Sequence, residues 1–234
     1  GILPKVIECL SIAKGKDEVK IHVLGIVRNL VKLATAPAEE SEFNEVIKAE
    51  LLDPNAKTIL AQISTVLDMS GISNDLMEAC VETILVMAPI VQDTEDVQAV
   101  IKISIFLLNQ PPRRVSPKLK GRILLIVEQY VAQSSAFENQ SLLDDVYDTI
   151  SSLFSYFKDR ENRQALSRAL LAIAGKDSSH QEIAEHCAVL NYFKEGRRDE
   201  TDNDRRMAAY REITGDRERS LTQKKRQHLR TEKN

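Results

Sequence analysis

Pairs of amphipathic helical segments that recur at a nearly constant interval are the feature that most limits how this chain can fold. Apolar residues three and four positions apart, preceded by helix-starting residues, predict helix pairs that begin near residues 73, 117 and 159. These intervals of about 42–44 residues fall within the roughly 40–47 that are typical of HEAT and armadillo repeats. Each pair has apolar residues on more than one face, which only a neighbouring pair can cover. The sequence therefore predicts an all-α HEAT/armadillo-like solenoid, with a helix bundle as the alternative.

The composition agrees with a folded helical protein. Apolar residues make up 43% and charged residues 29% of the chain, which is typical of a folded protein, and 234 residues include only 8 Gly and 7 Pro. Strand-like alternation occurs briefly at residues 101–106, inside a longer helical pattern. No apolar run reaches the length of about 18 residues that a membrane span requires, so we expect no membrane association. The start "GILPK" has no Met and no signal-peptide pattern, which indicates a piece of a longer protein.

The helical patterns also predict caps and buried faces. The second helix is expected over about 17–35 with Asp17 as its cap, and further helices are expected to be capped by Thr94 and Ser141. In the last of these helices, Leu153 and Phe154 should lie in the core. The apolar residues of the second helix predict a core face made of Val19, Val23, Ile26, Val27, Leu30 and Leu33.

No constellation of residues indicates chemistry. The three cysteines, at 9, 80 and 187, each fall inside a helical pattern, which favours small buried side chains in a reducing compartment. The four histidines do not pair at helical spacing, and the Cys-x-x-Cys, phosphate-loop and Gly-x-Ser-x-Gly patterns are absent. The sequence therefore predicts no catalytic residue, no cofactor, no metal site and no small-molecule substrate.

Charge divides the chain into three predicted regions. Residues 194–234 contain 13 Lys and Arg against 9 Asp and Glu, a net charge of +4, which leaves −7 for residues 1–193 because the whole chain carries −3. We expect a mildly acidic solenoid over 1–193, a charged inter-repeat linker with a short helix over 194–215, and a basic tail over 216–234. The acidic region should repel a polyanion over most of its surface.

The charged linker contains candidate contact residues. Residues 195–206 hold four arginines and five carboxylates and no large apolar side chain. One interpretation is a solvated connection in which opposite charges pair and Asp202 or Asp204 caps the next helix, although exposed pairs stabilise by only about 0–1 kcal/mol each. The other interpretation is a docking loop for RNA phosphate or a neighbouring protein. Its candidate contacts are Arg197, Arg198, Arg205 and Arg206.

The basic tail is a second candidate contact. Seven Lys and Arg lie between residues 217 and 233, with a cluster at Lys224, Lys225 and Arg226. Such a run is compatible with a solvated end, a nuclear import signal or contact with RNA phosphates. No aromatic residue is interleaved, so phosphate contact is expected without base stacking.

Three blocks of residues 154–213 carry a family resemblance. The first is "FSYFKDRENR" over 154–163, and the second contains Leu190, Asn191 and Phe193. The third comprises Arg198, Asp199, Glu200, Asp202, Asp204, Arg205, Arg206, Ala209 and Tyr210. Together they resemble the large HEAT-repeat scaffold of the small-subunit processome, the family called "down-regulated in metastasis", although Thr201 and Asn203 stand where that family has Pro and Tyr. Residues 1–150 fit the family only as generic helical repeats.

The resemblance implies a non-catalytic scaffold segment in the nucleolus or nucleus. Members of the family are long α-solenoids that wrap the assembling pre-ribosome, so it implies pre-ribosomal assembly factors and pre-rRNA as partners. The alternative is a HEAT-type adaptor or nuclear transport receptor that binds only proteins. A helical-repeat enzyme is a more distant third.

Overall fold

The computed structural model describes residues 1–12, 15–37, 41–133, 139–192 and 207–211. Within these residues the chain forms ten α-helices and no strand. The helices are α1 (Ile2–Ile12), α2 (Asp17–Ala34), α3 (Ser41–Val46), α4 (Ala56–Asp68), α5 (Asn74–Val86), α6 (Thr94–Leu108), α7 (Pro117–Gln133), α8 (Gln140–Tyr156), α9 (Arg160–Ala174) and α10 (Gln181–Leu190). Residues 47–55 continue α3 as a π-helical and then a 3-10 segment, residues 178–180 form a 3-10 turn before α10, and residues 207–211 are helical.

The helices stack in two layers. In one layer α2, α5, α7 and α9 contact one another in that order, and in the other α1, α4, α6 and α8 do the same. Sequence neighbours such as α6 and α7, or α8 and α9, contact each other across the layers, and one continuous apolar core runs between them. This arrangement is a helical-repeat solenoid, as the spacing of the helix pairs predicts.

The repeat interval is visible in the helix caps. Ser73, Ser116 and Asp159 cap α5, α7 and α9, and each side chain accepts a hydrogen bond from the backbone N–H three residues later, at 3.2, 3.2 and 2.8 Å. The caps lie at positions 73, 116 and 159, so both intervals are 43 residues. The predicted helix starts near 73, 117 and 159 are therefore confirmed. The first repeat departs from the interval because residues 41–55 are inserted between α2 and α4.

The predicted core face of α2 is wrong in part. Val23 and Val27 are buried, but Val19, Ile26 and Leu33 are 42%, 46% and 47% exposed. The helix has apolar residues on two sides, and its neighbours α1, α5 and residues 41–52 bury only one of them. That side also includes residues 20, 24 and 31, which the prediction omits.

Asp17 does not cap α2. It is the first residue of that helix, and its Oδ2 accepts a hydrogen bond from the backbone N–H of Ser73 at 2.8 Å. This bond ties the start of α2 to the start of α5, the next helix in the same layer. The hydrogen bonds from Ser73, more than the charge of the nearby Lys20, hold the pKa of the Asp17 carboxyl below its ordinary value.

Two other predicted caps are displaced by a residue or two. Thr94 and Ser141 lie inside the first turns of α6 and α8. The capping side chains belong to Asp93 and Asn139, which accept hydrogen bonds from backbone N–H groups of those turns. Asp, Asn, Ser and Thr are all good caps, so the choice between neighbours depends on where the preceding chain enters.

Ion pairs join successive helices of the α2–α5–α7–α9 layer. Arg122 on α7 donates from Nε and Nη2 to the two carboxylate oxygens of Glu82 on α5, at 2.6 and 2.7 Å. Arg168 on α9 donates from Nε to Oε2 of Glu128 on α7 at 3.0 Å. Both pairs join residues 40 positions apart, so each links one repeat to the next.

Side chains of α7 also bind backbone carbonyls at the end of α5. The Tyr130 hydroxyl, which is completely buried, donates to the Ile84 carbonyl at 2.7 Å. Nε2 of Gln133 donates to the Ala88 carbonyl at 2.9 Å. The last carbonyls of a helix have no partner within it, so these bonds satisfy groups that would otherwise be left unpaired.

Helices α7 and α9 pack closely at Gly121. A Cβ atom at this position would collide with Oδ1 of Asn162. Glycine inside a helix costs about 0.5–1 kcal/mol relative to alanine, so its presence here is explained by the lack of space.

The cysteines are free thiols, with Cys80 buried and Cys9 and Cys187 half-buried. Burial raises the pKa of the Cys80 thiol to about 12, so this group stays neutral and packs as a small apolar side chain. Among the described residues no helix is both long enough and apolar enough to cross a membrane.

Candidate partner-binding pocket

An open cavity of about 450 Å³ lies between the end of α8, the start of α9, the end of α10 and the helical turn at residues 207–211. We call it the motif pocket. It is lined by Phe154, Arg160, Arg163, Cys187, Leu190, Asn191 and Tyr210. Its volume falls in the range of about 300–1,000 Å³ that is common for ligand pockets.

Arg163 is held in place on three sides. Its Nε donates to Oδ1 of Asn191 at 2.9 Å, and its Nη1 donates to the carbonyls of Phe154 and Phe157 at 3.0 and 3.3 Å. Its guanidinium lies over the Phe154 ring, 5.5 Å from the ring centre. Within the described residues Nη2 makes no hydrogen bond, which leaves two N–H donors of a fixed cation at the pocket wall.

The other wall is fixed by the end of α10. Nδ2 of Asn191 and the hydroxyl of Ser167 both donate to the Cys187 carbonyl, at 2.8 and 3.1 Å. Burial raises the pKa of the Cys187 thiol, an effect that the nearby positive charge of Arg163 reduces. A thiol whose pKa is raised is a poor nucleophile, so Cys187 contributes apolar surface to the pocket rather than reactivity.

Phe154 does not lie in the core, which corrects the prediction. It is half-buried and lines the pocket, whereas Leu153 and Phe157 on either side are 7% and 2% exposed. The apolar pattern of α8 places both Leu153 and Phe154 near the inner face. The carbonyl contact with Arg163 shows that Phe154 instead forms the boundary between core and pocket.

Residues 207–211 supply the last wall. Ala209 is 3% exposed and anchors this helical turn, while the Tyr210 side chain is 54% exposed and lines the pocket. The turn lies within the linker region over 194–215, in which a short helix was expected.

The pocket brings together all three blocks of the family resemblance. Phe154, Arg160 and Arg163 come from the first block, Leu190 and Asn191 from the second, and Tyr210 from the third. Sequence reasoning found the blocks but missed that they meet, because the contact between residues 163 and 191 spans 28 positions. The sequence did contain a signal for this meeting. Arg163 and Asn191 are polar residues of the first two blocks, and each lies close to the end or the start of a predicted helix.

The contact residues predicted from charge cannot be placed against this pocket. All seven lie outside the described residues and stay predictions: Arg197, Arg198, Arg205, Arg206, Lys224, Lys225 and Arg226. The predicted division into a solenoid over 1–193, a charged linker over 194–215 and a basic tail over 216–234 also stays a prediction.

One further cluster resembles a metal site in composition. Ligand atoms of Asp144, Asp177 and His180 lie within 4.8 Å of one another. Nε2 of Gln140 already donates to both carboxylates at 2.9 Å, and the His180 ring stacks on Tyr147 with centroids 3.8 Å apart. These contacts account for the cluster as packing between α8 and the turn before α10.

The described residues form an α-solenoid of the HEAT type, because stacked helix pairs are joined by contacts between successive repeats. A pocket with polar and aromatic walls lies at one end. The sequence profile of the family described as "U3 small nucleolar RNA-associated protein 20, N-terminal" matches residues 1–229. The chain belongs to this family. The resemblance seen at residues 154–213 is therefore confirmed, and the match extends over nearly the whole chain. The family is one of the small-subunit processome, which acts in ribosome biogenesis.

The chain is also similar to U3 small nucleolar RNA-associated protein 20 of Schizosaccharomyces pombe. The two are 23% identical over 212 residues, which cover 89% of this chain and 8% of the yeast protein. The chain therefore spans less than a tenth of the length of this relative.

Proposed function

We propose that this chain is a non-catalytic scaffold segment of a small-subunit pre-ribosome component, which acts in the nucleolus and contacts assembly factors and pre-rRNA. The observation that carries the proposal is the family match over residues 1–229. The relative's name describes association with an RNA and no reaction, which favours a structural role over an enzymatic one.

The construction of the body supports a scaffold role. Bonds such as Arg122 to Glu82 and Tyr130 to Ile84 fix each repeat against the next. A body fixed in this way can hold two partners at a set distance, which is the physical task of a scaffold.

Part of the pre-rRNA contact is proposed for the basic tail, with Lys224, Lys225 and Arg226 on phosphates. Each phosphate contact releases a counterion, so the logarithm of the association constant should fall with that of salt concentration by roughly 0.7 per contact on single strands. The tail variant, with all three residues changed to Ala, should bind every RNA sequence more weakly and lower the slope by about 2.

A matched control removes the same charge from the described body. Lys5, Lys32 and Lys102 are exposed lysines whose ammonium groups make no hydrogen bond or ion pair with any described residue. Changing these three to Ala should leave the slope of RNA binding against salt unchanged. If the tail variant and this control lose the same RNA affinity, the effect of the tail reflects total charge and not contact by these three residues.

The alternative is a HEAT-type adaptor or transport receptor that binds only proteins. The two proposals differ in the partners that the intact protein should contact in its own cells. Crosslinking followed by identification of bound RNA and protein should recover small-subunit pre-rRNA and assembly factors. Recovery of transport cargo and a small GTPase without pre-rRNA would overturn the scaffold proposal.

A further inference from the structure

We infer that Ser116 is a phosphorylation site, modified by a proline-directed protein kinase that also recognises an arginine three positions before the serine. The phosphate would add negative charge at the cap of α7 and strengthen the start of that helix. This modification goes beyond the proposed function, because it changes the chain itself and needs no contact with RNA.

The sequence before α7 contains the side chains that such a kinase recognises. Residues 110–120 read "QPPRRVSPKLK", with Arg113 three positions before Ser116 and Pro117 directly after it. Ser116 is the only serine or threonine of the chain that a proline follows. An arginine fits an acidic pocket of a kinase through charge-assisted hydrogen bonds. Proline suits a kinase pocket that offers no acceptor for a backbone N–H, because proline has none.

Ser116 and both recognition residues are accessible. Arg113, Ser116 and Pro117 are exposed, and residues 113–116 lie outside the helices. Val115 between them is completely buried, so a kinase must open this turn to bind it in an extended form. Residues at the start of a helix open locally at a low free-energy cost compared with residues of the core. The kinase can therefore reach the site in the folded chain.

The next repeat accepts an anion at the corresponding position. Asp159 caps α9, 43 residues after Ser116, and its Oδ1 accepts a hydrogen bond from the Asn162 N–H at 2.8 Å. In the same way, Oγ of Ser116 accepts from the Leu119 N–H at 3.2 Å. A phosphate on Ser116 would bring negative charge to the same point of its own repeat, where the dipole of the helix favours it.

Cationic side chains surround Ser116. It lines a cavity of about 90 Å³ between the starts of α5 and α7, together with Arg114, Lys118, Arg122 and the carboxylate of Glu78. The Lys118 ammonium lies 3.8 Å from Glu78, and both side chains are mostly exposed, so this pair is weak. Lys118 can therefore turn to a phosphate, which makes stronger charge-assisted hydrogen bonds.

The modification uses ATP as the phosphoryl donor. Oγ of Ser116 forms a bond to the γ-phosphorus, and the bond from that phosphorus to the oxygen that bridges it to the β-phosphorus breaks, so ADP leaves. The hydroxyl proton passes to the catalytic base of the kinase. The product is a phosphate monoester with a charge of about −1.5 to −2 at pH 7.

A kinase reaction with the 234-residue chain tests the site. The chain is incubated with ATP and a recombinant proline-directed kinase that prefers arginine three positions before the serine. Peptide mass spectrometry should locate the phosphate on Ser116. Arg113→Ala should slow the transfer by roughly 10-fold or more, as expected for the loss of a hydrogen-bonded charge pair. Pro117→Ala should slow it as well.

Ser73 provides a matched control in the preceding repeat. It is an exposed cap of α5, and its Oγ accepts from the N–H three residues later at the same distance of 3.2 Å. Ser70 and Asn74 stand where the arginine and the proline would be, so Ser73 should stay unmodified. An unmodified Ser116, equal rates at the two serines, or an unchanged rate in the Arg113→Ala chain would refute the inference.

The effect of the phosphate is measured on a chain with phosphoserine inserted at position 116 during translation. Its melting temperature should rise by about 1–4 °C, the shift that an anion at a helix start gives in a chain of this size. Phosphoserine at position 73 should give no such rise, because the Asp17 carboxylate already accepts a hydrogen bond from the Ser73 N–H at 2.8 Å and would repel it. Equal shifts at both positions, or a fall at 116, would contradict the proposed cap.

Peptide mapping of the intact protein purified from its own growing cells completes the test. It should recover a phosphopeptide that contains Ser116. Recovery of the unmodified peptide alone would overturn the inference and leave the scaffold proposal as it stands, because the contacts with assembly factors and pre-rRNA do not require the phosphate.

Discussion

Removing one oxygen atom from Tyr130 tests the contact between α5 and α7 directly. Tyr130→Phe leaves the ring in place and opens no cavity, but it removes the hydroxyl that donates to the Ile84 carbonyl at 2.7 Å. Both the ring and its hydroxyl lie in a fully buried position, so water has no path to replace the donor. Burial also raises the pKa of the Tyr130 hydroxyl, so it is a donor at neutral pH.

The expected loss of stability follows from the unpaired carbonyl. A typical hydrogen bond contributes about 0.5–1.5 kcal/mol net, and a buried group left without its partner costs about 1–3 kcal/mol. We therefore expect Tyr130→Phe to lower the free energy of unfolding by about 1–3 kcal/mol. For a chain of this size the melting temperature should fall by about 2–4 °C for each kcal/mol.

The assay is urea unfolding followed by circular dichroism, with Tyr147→Phe as the matched control. Tyr147 stacks on His180, and its hydroxyl makes no hydrogen bond to any described residue. The control should change stability by less than about 0.5 kcal/mol. A loss below that value in Tyr130→Phe, or an equal loss in both variants, would refute the reasoning that the hydroxyl satisfies a carbonyl at the end of α5.

Two further predictions concern helix contacts. Gly25→Ala should stabilise the chain by about 0.5–1 kcal/mol because a Cβ there meets open space. Gly121→Ala should not give this gain, because its Cβ would push the Asn162 side chain away from its hydrogen bond to Asp159. Urea unfolding should therefore show a stabilised Gly25→Ala chain and a Gly121→Ala chain that is no more stable than the parent, and equal gains in both would contradict the close packing at Gly121. The pKa of Asp17 is lowered in the folded state, so its contribution is complete above an ordinary carboxyl pKa of about 4 and is lost as the pH falls through the lowered value. The Asp17→Asn chain should therefore be less stable than the parent chain near neutral pH and nearly equal to it in acid, as measured by urea unfolding at several pH values. A difference in stability that stays constant with pH would show that the contact to Ser73 is unimportant.

The sequence predicted the features that depend on neighbouring positions. The buried positions of Leu153 and Val23 and the helix starts near 73, 117 and 159 follow from local spacing, and the repeat interval follows from several such patterns. The exposed side of α2 was mispredicted because two apolar faces are equally good locally, and only the positions of α1 and α5 decide between them.

The motif pocket could not be predicted because its geometry depends on distant contacts. From its position in an amphipathic helix, Arg163 is expected to be an ordinary surface residue. Only the folded chain places Asn191 and two carbonyls from the end of α8 beside it. The three blocks were recognised as a linear pattern, but a linear pattern does not state which side chains meet. The half-buried position of Phe154 was missed for the same reason.

The two ion pairs between successive repeats have a consequence for the order of those repeats. Glu82 is the ninth residue of α5 and pairs with Arg122, the sixth residue of α7, whereas Glu128 is the twelfth residue of α7 and pairs with Arg168, the ninth of α9. The second pair is therefore displaced by about one helical turn along the helices. If the repeat between α5 and α9 were deleted, Glu82 would face α9 about one turn away from the position that its pairing requires. Each ion pair therefore forms only when its own two repeats are neighbours, so the positions of the charges favour the native order of the repeats over one in which a repeat is skipped or exchanged.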